Sequence, residues 1–382
     1  MPGSVRTRWI VAAVVVAAAA AAVVAVRPDH AAAVDPEIAV SRSACGTGWT
    51  DPKPGPQTFR LHNTGSVTAE VDLIDPATGV IYGEVEGLGA ATTRPLRVNL
   101  GNGDYAFRCL PEDAGAIVGP AVRITGGAER TGPGVAPVTH DDLLGPLKAY
   151  QQHVTAGLDE LVANTGALKN TVHGGDRAAS QAAWLTAHLT YERLGAAYDA
   201  FGDSDGAING LPAGPEFTGF HRLEQGLWHG EDLAALAAVA DRLDTDARAL
   251  RTSFADSQVD GNDLGLRAHE IMENTLQFEL TGRTDYGSGT NLATARANLD
   301  GTRAVLEVLR PLLTPRYPQL SKVDTWLDRT RTALDAAHRP DGTWLRPAEL
   351  SRQQRQKLNA DVSELTELLA PIAAITEPRR VS

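Results

Sequence analysis

His221 and Glu224 are the side chains whose types and spacing most suggest chemistry, because an imidazole and a carboxylate three residues apart can bind one metal ion. On a helix, this spacing places both groups on the same face. Pro212, Pro215 and Thr218 come just before them and predict a loop followed by a helix N-cap. We therefore expect the pair in the first turn of a helix at the mouth of a loop, with a capping or surface pair as the alternative.

Two other histidines are each followed four residues later by a glutamate, which gives the pairs His188/Glu192 and His269/Glu273. In a helical bundle, histidines and acids that point inward from facing helices are the usual way to build a metal site. Carboxylate-rich sets with one or two imidazoles suit iron, manganese or zinc better than Cu(I). Each pair alone is better explained as an exposed helix face, and it is the presence of three pairs in one region that favours a metal site.

Several enzyme classes find no support in the motifs. Residues 269–273 resemble the zinc-protease motif His-Glu-x-x-His, but the segment ends in Glu273 and lacks the second histidine that those enzymes need. The sequence contains no Gly-rich phosphate loop before a helix and no Gly-x-Ser-x-Gly elbow. Hydride transfer and Ser or Cys nucleophile chemistry are therefore not indicated.

The three pairs fall in a helical region that begins after a linker rich in Gly and Pro at residues 127–137. Apolar residues recur there with the period of a helix. Long amphipathic helices with short connections predict an all-α domain over residues 138–375, built as two packed bundles. The expected helices lie near residues 140–173, 176–202, 219–254, 263–282, 290–314, 318–338 and 347–373.

Residues 38–126 show instead the period of two that is typical of strands. Phe59 and Leu61 alternate with polar residues, and turn sequences such as Asn63-Thr64-Gly65 separate the segments. This pattern predicts a small all-β sandwich. The region contains one histidine, His62, so a blue-copper centre, which needs two, is excluded.

The chain has 382 residues, of which 43% are hydrophobic and 21% are charged, as in an ordinary globular protein of two domains. The net charge is −12; Arg6, Arg8 and Arg27 against Asp29 give residues 1–33 a charge of +2, so the remainder carries −14. This excess of negative charge argues against nucleic acid and anionic membrane surfaces as partners. It is compatible with cationic ligands.

The N-terminus has the features of an export signal. Arg6 and Arg8 precede the uncharged run Ile10–Val26, whose helix would reach roughly 25 Å, slightly short of a bilayer core of about 30 Å. The segment Ala31–Ala33 offers a cleavage site for a signal peptidase. Residues 1–33 are therefore expected to be a signal peptide or an N-terminal membrane anchor, with cleavage favoured, and the mature protein to work outside the cytoplasm.

Cys45 and Cys109 are the only cysteines of the chain. In an exported protein, the default expectation is a disulfide, which would stabilise the fold by roughly 4 kcal/mol for a loop of this length. A metal site that uses both thiolates is the alternative.

Residues 217–224 resemble the Gly-x-His-x-x-Glu signature of the imelysin-like (peptidase M75) family. Three other segments resemble that family in the same order, namely Tyr191-Glu192-Arg193, the loop 201–206 and residues 309–313. Ahead of them, Cys45 and the strand 103–109 resemble a cupredoxin-like domain that is joined to it in some members. The resemblance covers roughly residues 38–375. It implies a cupredoxin-like sandwich followed by an imelysin-like double helical bundle.

The function that this resemblance implies is iron transport. It suggests an extracytoplasmic iron-binding component of an Efe-type iron uptake system, in which such a protein works with an iron permease and a haem peroxidase. The cargo would be iron, as Fe2+ or Fe3+, with zinc or copper as alternatives. The protein would contact the membrane only through its N-terminal segment or through the permease.

The family's metal ligands can be transferred residue by residue. Glu192, His221 and Glu224 match the family pattern, whereas Gly195 and Asn209 stand where many members carry an acid. Three other acids are expected to complete the ligand set: Asp203, Asp205 and Glu273.

Two other functions fit the same residues. The first is a metal-dependent peptidase of the M75 type, in which Glu224 or Glu192 would act as general base on a metal-bound water. The second is a non-catalytic module that binds a polysaccharide or a protein partner, in which the His-x-x-Glu pair is structural.

Overall fold

The structure, a computed structural model, describes residues 36–50, 52–130, 134–212 and 217–382. The expected signal peptide or anchor at residues 1–33 lies outside the described residues, as does Pro215. Backbone contacts divide the described residues into two compact units, one with residues 36–74 and 83–130 and the other with residues 75–82 and 134–382. None of the helices within the described ranges combines the length and apolar character needed to cross a bilayer. The predicted domain boundaries remain predictions.

The N-terminal strands form two sheets, which confirms the predicted cupredoxin-like β-sandwich. One sheet has the strand order β2-β1-β3-β6, with β1 and β3 parallel. The other has the order β5-β4-β7-β8, and β9 also pairs with β7. The strands are β1 Glu37–Val40, β2 Cys45–Thr47, β3 Gly55–Asn63, β4 Ala69–Ile74, β5 Ile81–Leu88, β6 Thr93–Leu100, β7 Gly103–Pro111, β8 Ile117–Val118 and β9 Val122–Ile124.

Aromatic side chains and a disulfide hold the two sheets together. Phe59 of β3 and Phe107 of β7 meet edge to face with their ring centres 5.3 Å apart. The disulfide Cys45–Cys109, with a Cα–Cα distance of 5.8 Å, joins β2 to β7. It confirms the first of the two expectations for these cysteines, so the thiolate metal site is not formed.

The C-terminal helices confirm the double bundle. Helices α1, α2, α5 and α6 pack together, helices α7 to α10 form a second group, and α8 also packs on α1 and α2. One continuous hydrophobic core runs through both groups. The helices are α1 His140–His173, α2 Arg177–Glu192, α3 Tyr198–Phe201, α4 Asp203–Asn209, α5 Gly219–Trp228, α6 Leu233–Ser253, α7 Asp263–Asn274, α8 Asn291–Leu313, α9 Leu320–Asp335 and α10 Arg352–Thr376.

Three predictions about the helical region are wrong. The helix expected over 176–202 ends at Glu192 and is followed by a 3-10 turn that starts at Gly195, a residue of low helix propensity. The helix expected over 219–254 is interrupted after Trp228, where Gly230 has a φ of +79° that continues no helix. The segment expected as a loop at 201–206 instead begins the short helix α4.

Candidate metal centre

One face of α2 is formed by side chains four residues apart: Trp184, His188 and Glu192, all buried. The Trp184 indole stacks on the His188 ring at 4.7 Å, and its Nε1 donates a hydrogen bond to the carbonyl oxygen of Phe220 at 2.8 Å. His188 Nε2 lies 3.1 Å from Glu192 Oε1. Trp184 therefore orients the histidine and also fastens α2 to the start of α5.

The start of α5 requires a glycine. Gly219 has a φ of +70°, and a Cβ at this position would lie 2.0 Å from the carbonyl oxygen of Ile208 in α4. The glycine of the family signature thus allows α4 and α5 to approach closely. Thr218 occupies the predicted N-cap position, but its side chain makes no capping hydrogen bond within the described residues.

His221 and Glu224 lie in the first turns of α5, as predicted, and both are buried. His221 Nδ1 lies 3.5 Å from Glu224 Oε2. The other carboxylate oxygen, Oε1, accepts hydrogen bonds from the Tyr286 amide (3.1 Å), the Ser288 amide (3.0 Å) and the Ser288 hydroxyl (2.6 Å). Burial alone would raise the pKa of Glu224, but the hydrogen bonds from His221 and Ser288 outweigh it, and the pKa is lowered. This carboxylate is therefore ionised at neutral pH.

The two His/Glu pairs converge. The ring centres of His188 and His221 are 5.7 Å apart. Glu192 Oε1 accepts a hydrogen bond from Asn209 Nδ2 at 3.0 Å. Burial acts to raise the pKa of Glu192, but the adjacent His188 lowers it below its usual value. Two imidazoles and two ionised carboxylates from α2 and α5 thus face one another.

These groups line a cleft of about 900 Å³. The cleft brings together five of the six predicted metal ligands, namely Glu192, Asp203, Asp205, His221 and Glu224. Asp203 is exposed, whereas Asp205 is half-buried and accepts a hydrogen bond from the Tyr191 hydroxyl at 2.5 Å. Burial raises the pKa of Asp205. Gly195 and Asn209, the two positions that depart from the family pattern, also line this cleft.

The structure does not bring Glu273 to the cleft. This residue is exposed on α7, where its carboxylate lies 3.7 Å from His269 Nε2 and accepts a hydrogen bond from Gln277 Nε2 at 3.2 Å. The third His/acid pair therefore lies outside the cleft, with Glu273 exposed and His269 partly buried, its Nδ1 3.0 Å from the carbonyl oxygen of Thr366.

Glu279 is a cleft residue that the sequence analysis missed. It is buried at the end of a π-helical turn, Thr275–Glu279, that continues α7. Its carboxylate accepts hydrogen bonds from Thr284 Oγ1 (2.7 Å) and Asn291 Nδ2 (2.8 Å). Burial, together with the negative charge of Glu192, raises the pKa of Glu279 to about 7. A third buried carboxyl group therefore contributes to the same cleft from the second bundle.

A sequence signal for Glu279 did exist. Leu264, Ala268, Ile271 and Thr275 are buried at spacings of three and four, and the next position of this stripe is Glu279. An acid on the apolar stripe of a helix is unusual, since buried carboxylates are rare without a partner. No histidine accompanies it at helical spacing, which is why a search for His/acid pairs passes over it.

The potential metal ligands of the cleft lie near one another but are not arranged around a common metal position. Among the residues that the structure describes, no three His, Cys, Asp or Glu side chains form a group that could already hold a metal ion. A cation bound between the two pairs would therefore complete its coordination through side-chain rotation or water. Nitrogen and carboxylate donors of this kind suit iron, manganese or zinc.

Comparison with known proteins gives a family and several relatives. The sequence profile of the imelysin (peptidase M75) family matches residues 146–372. The chain is 27% identical over 354 residues to a Yersinia pseudotuberculosis protein named iron uptake system component EfeO, covering 89% of this chain and 90% of that protein. Proteins of the same name from Yersinia pestis (27% over 356 residues) and Escherichia coli O1:K1 (26% over 352 residues) match with the same coverage. The similarity extends over both compact units.

Proposed function

This chain belongs to the imelysin (peptidase M75) family, and from that premise we propose that it is the extracytoplasmic iron-binding component of an iron uptake system. The observation that carries the proposal is the convergence of His188/Glu192 and His221/Glu224 on one cleft. The names of the relatives, which match along both units, identify iron as the metal to test first.

The electrostatics of the cleft favour a cation. Within the described chain, no Lys or Arg forms an ion pair with Glu192, Glu224 or Glu279; Glu192 and Glu224 are paired instead with imidazoles. A buried carboxylate without a fixed cationic partner is costly, and a bound metal ion would remove that cost. We propose Glu192, His221 and Glu224 as ligands, with Asp203, Asp205 and Glu279 adding negative charge around the ion.

The cellular setting belongs to the same proposal. A disulfide is typical of proteins that work in an oxidising compartment, which agrees with the export signal expected at residues 1–33. Delivery to an iron permease, in a system that also includes a haem peroxidase, would require the ion to leave as well as to enter. A cleft on the helical domain with an exposed acid, Asp203, provides a route for both.

The test is the effect of iron on thermal stability. At an iron concentration about 100 times the dissociation constant, binding should stabilise the wild-type protein by about 2.7 kcal/mol. That corresponds to a rise of several degrees in the melting temperature. We expect the double variant His221→Ala/Glu224→Ala to lose this rise, for anaerobic Fe2+ or for citrate-buffered Fe3+.

A matched control is available in the third pair. His269→Ala/Glu273→Ala removes a histidine and a glutamate at helical spacing outside the cleft, so it should keep the full rise with iron. An equal rise in the His221/Glu224 variant, or no rise in the wild-type protein, would contradict the proposed function.

A further inference from the structure

His188 is buried beside the cleft, with 4% of its surface exposed. Neither of its ring nitrogens has a hydrogen-bond partner among the described residues. The nearest carboxylate oxygen, Glu192 Oε1, approaches Nε2 to 3.1 Å but is not aligned for a hydrogen bond. Because buried polar atoms in native proteins are nearly always bonded, this histidine requires an explanation. It is not among the residues that match the family's ligands.

The ring of His188 is held in place by packing. It stacks on Trp184 at 4.7 Å and contacts the Phe220 ring at 5.3 Å. Trp184 is itself fixed by its hydrogen bond to the Phe220 carbonyl. A side chain whose rotamer is locked by packing keeps its geometry for a ligand, which lowers the entropic cost of binding a metal.

The distance between the two imidazoles suits a shared ion. If each ring nitrogen lay about 2.1 Å from one metal, bond angles of about 90–120° would place the ring centres about 4.6–5.6 Å apart. The ring centres of His188 and His221 are 5.7 Å apart in the structure. The separation of the two rings is therefore close to that of two imidazoles bound to the same ion.

We propose that His188 is a second nitrogen ligand of the metal site, so that the cargo is held by two imidazoles and by the carboxylates of Glu192 and Glu224. This inference rests on the proposed function and specifies the cargo. Two histidines with a carboxylate are the donor set typical of non-haem ferrous iron, and the proposed site adds one further carboxylate to that set. Ferric iron, a harder ion, depends more on oxygen ligands. A second imidazole should therefore favour Fe2+ over Fe3+ at this site.

The experiment counts the imidazoles bound to a metal probe. The full chain is loaded with less than one equivalent of Cu2+, and pulsed EPR detects the remote ring nitrogen of each coordinated imidazole. We expect two coordinated imidazoles in the wild-type protein and one in His188→Gln. His221→Gln leaves His188 intact and should also show one, which keeps the test valid if the His188 variant folds poorly.

His269→Gln is the matched control, since this histidine also belongs to a His/Glu pair on a helix but lies outside the cleft. It should retain two imidazoles. One imidazole in the wild-type protein, two in His188→Gln or none in His221→Gln would each overturn the inference, whereas a purely structural role of His188 would leave the imidazole count unchanged.

Affinity for iron provides the second measurement. Loss of groups that merely orient a metal ligand already weakens binding about 10–100-fold, so loss of a ligand in His188→Gln should cost at least about tenfold for anaerobic Fe2+. The loss for citrate-buffered Fe3+ should be smaller, and an equal loss would overturn the ferrous assignment. If the wild-type protein binds no iron, the proposed function fails too. If it binds iron through His221 and Glu224 with one imidazole, only this inference fails.

Discussion

Two sets of buried carboxylates in the helical domain have opposite surroundings. Asp244 is 3% exposed and forms ion pairs with Lys169 of α1 and Arg248 of α6. Asp361 is 1% exposed and pairs in the same way with Arg329 and Lys357. Each of these aspartates thus has two fixed cations, and each ties neighbouring helices together.

The glutamates of the cleft are also buried, but they lack Lys or Arg partners among the described residues. Glu192, Glu224 and Glu279 accept hydrogen bonds from amides and hydroxyls, and Glu192 and Glu224 also contact histidines. None of them forms an ion pair with a Lys or Arg of the described residues. Where a carboxylate serves stability, the protein provides the cation. Where the cation is left out, the carboxylates are available to a ligand.

The pKa values follow the same division. Burial acts to raise the pKa of Asp244, but the hydrogen bonds from Arg248 and Lys169 outweigh it and the pKa is lowered. For Glu279, burial and the charge of Glu192 outweigh the hydrogen bonds from Thr284 and Asn291 and the charge of His188, and the pKa rises to about 7. The two carboxyl groups should therefore respond in opposite ways to removal and to pH.

The largest expected effect is that of removing a paired aspartate. Asp244→Ala removes the carboxylate that accepts hydrogen bonds from Thr165, Lys169 and Arg248, two of them charge-assisted, and should lower the free energy of unfolding by about 3 kcal/mol. Guanidinium denaturation followed by circular dichroism measures this. Asp241→Ala, which removes a half-exposed pair with His173 between the same helices, should cost less than about 1 kcal/mol. If Asp244→Ala and Asp241→Ala lowered the free energy of unfolding equally, the contrast between buried and half-exposed carboxylates would be contradicted.

Removing the cleft carboxylate of Glu279 should instead raise the free energy of unfolding. In the metal-free protein, Glu279 has a raised pKa, so the unfolded chain loses its proton first and stability falls as the pH rises from about 4.5 to about 7. The total loss in the free energy of unfolding is about 3 kcal/mol. Glu279→Gln should restore about 2 kcal/mol of this loss at pH 8; the rest is not restored because the substitution weakens one hydrogen bond.

The measurement is the free energy of unfolding of this variant and the wild-type protein at pH 5 and pH 8. Glu273→Gln on the exposed face of α7 is the control and should change it by no more than about 0.5 kcal/mol at either pH. If Glu279→Gln lowered the free energy of unfolding at pH 8, Glu279 would be a stabilising carboxylate like Asp244 and Asp361.

The smallest expected effect concerns the neutral donors of the cleft. Ser288 donates its hydroxyl to Glu224 Oε1 at 2.6 Å, so Ser288→Ala should leave Glu224 less well oriented. We expect about tenfold weaker iron binding, which equals about 1.4 kcal/mol, by anaerobic titration. Ser257→Ala, at a partly exposed serine outside the cleft, should bind iron as the wild-type protein does. Unchanged affinity in Ser288→Ala would show that Glu224 does not depend on this donor.

Local sequence patterns predicted the fold class and two His/acid pairs that line the cleft. The change from a period of two to a helical period separates the sandwich from the bundles, and helix α1 has the predicted bounds, 140–173. The pairs His188/Glu192 and His221/Glu224 were predictable because their spacing is local to one helix.

The rest of the site depends on tertiary contacts. Glu279 reaches the cleft from another bundle, and Ser288 approaches Glu224 through a loop far along the chain. Helix α4 escaped prediction because Asp203, Asp205 and Gly206 have the composition of a loop, yet Ile208 at its end is fully buried. No spacing rule separates the His188/Glu192 pair, which lines the cleft, from the His269/Glu273 pair, which lies outside it, since both are four residues apart.

The size of the cleft has a kinetic consequence. A water molecule takes up about 30 Å³ in the liquid, so a cleft of about 900 Å³ has room for many of them. An ion held by the two pairs on one wall would keep solvent on its open side. It could then exchange protein ligands for water one at a time, and unloading would need no separation of the two bundles.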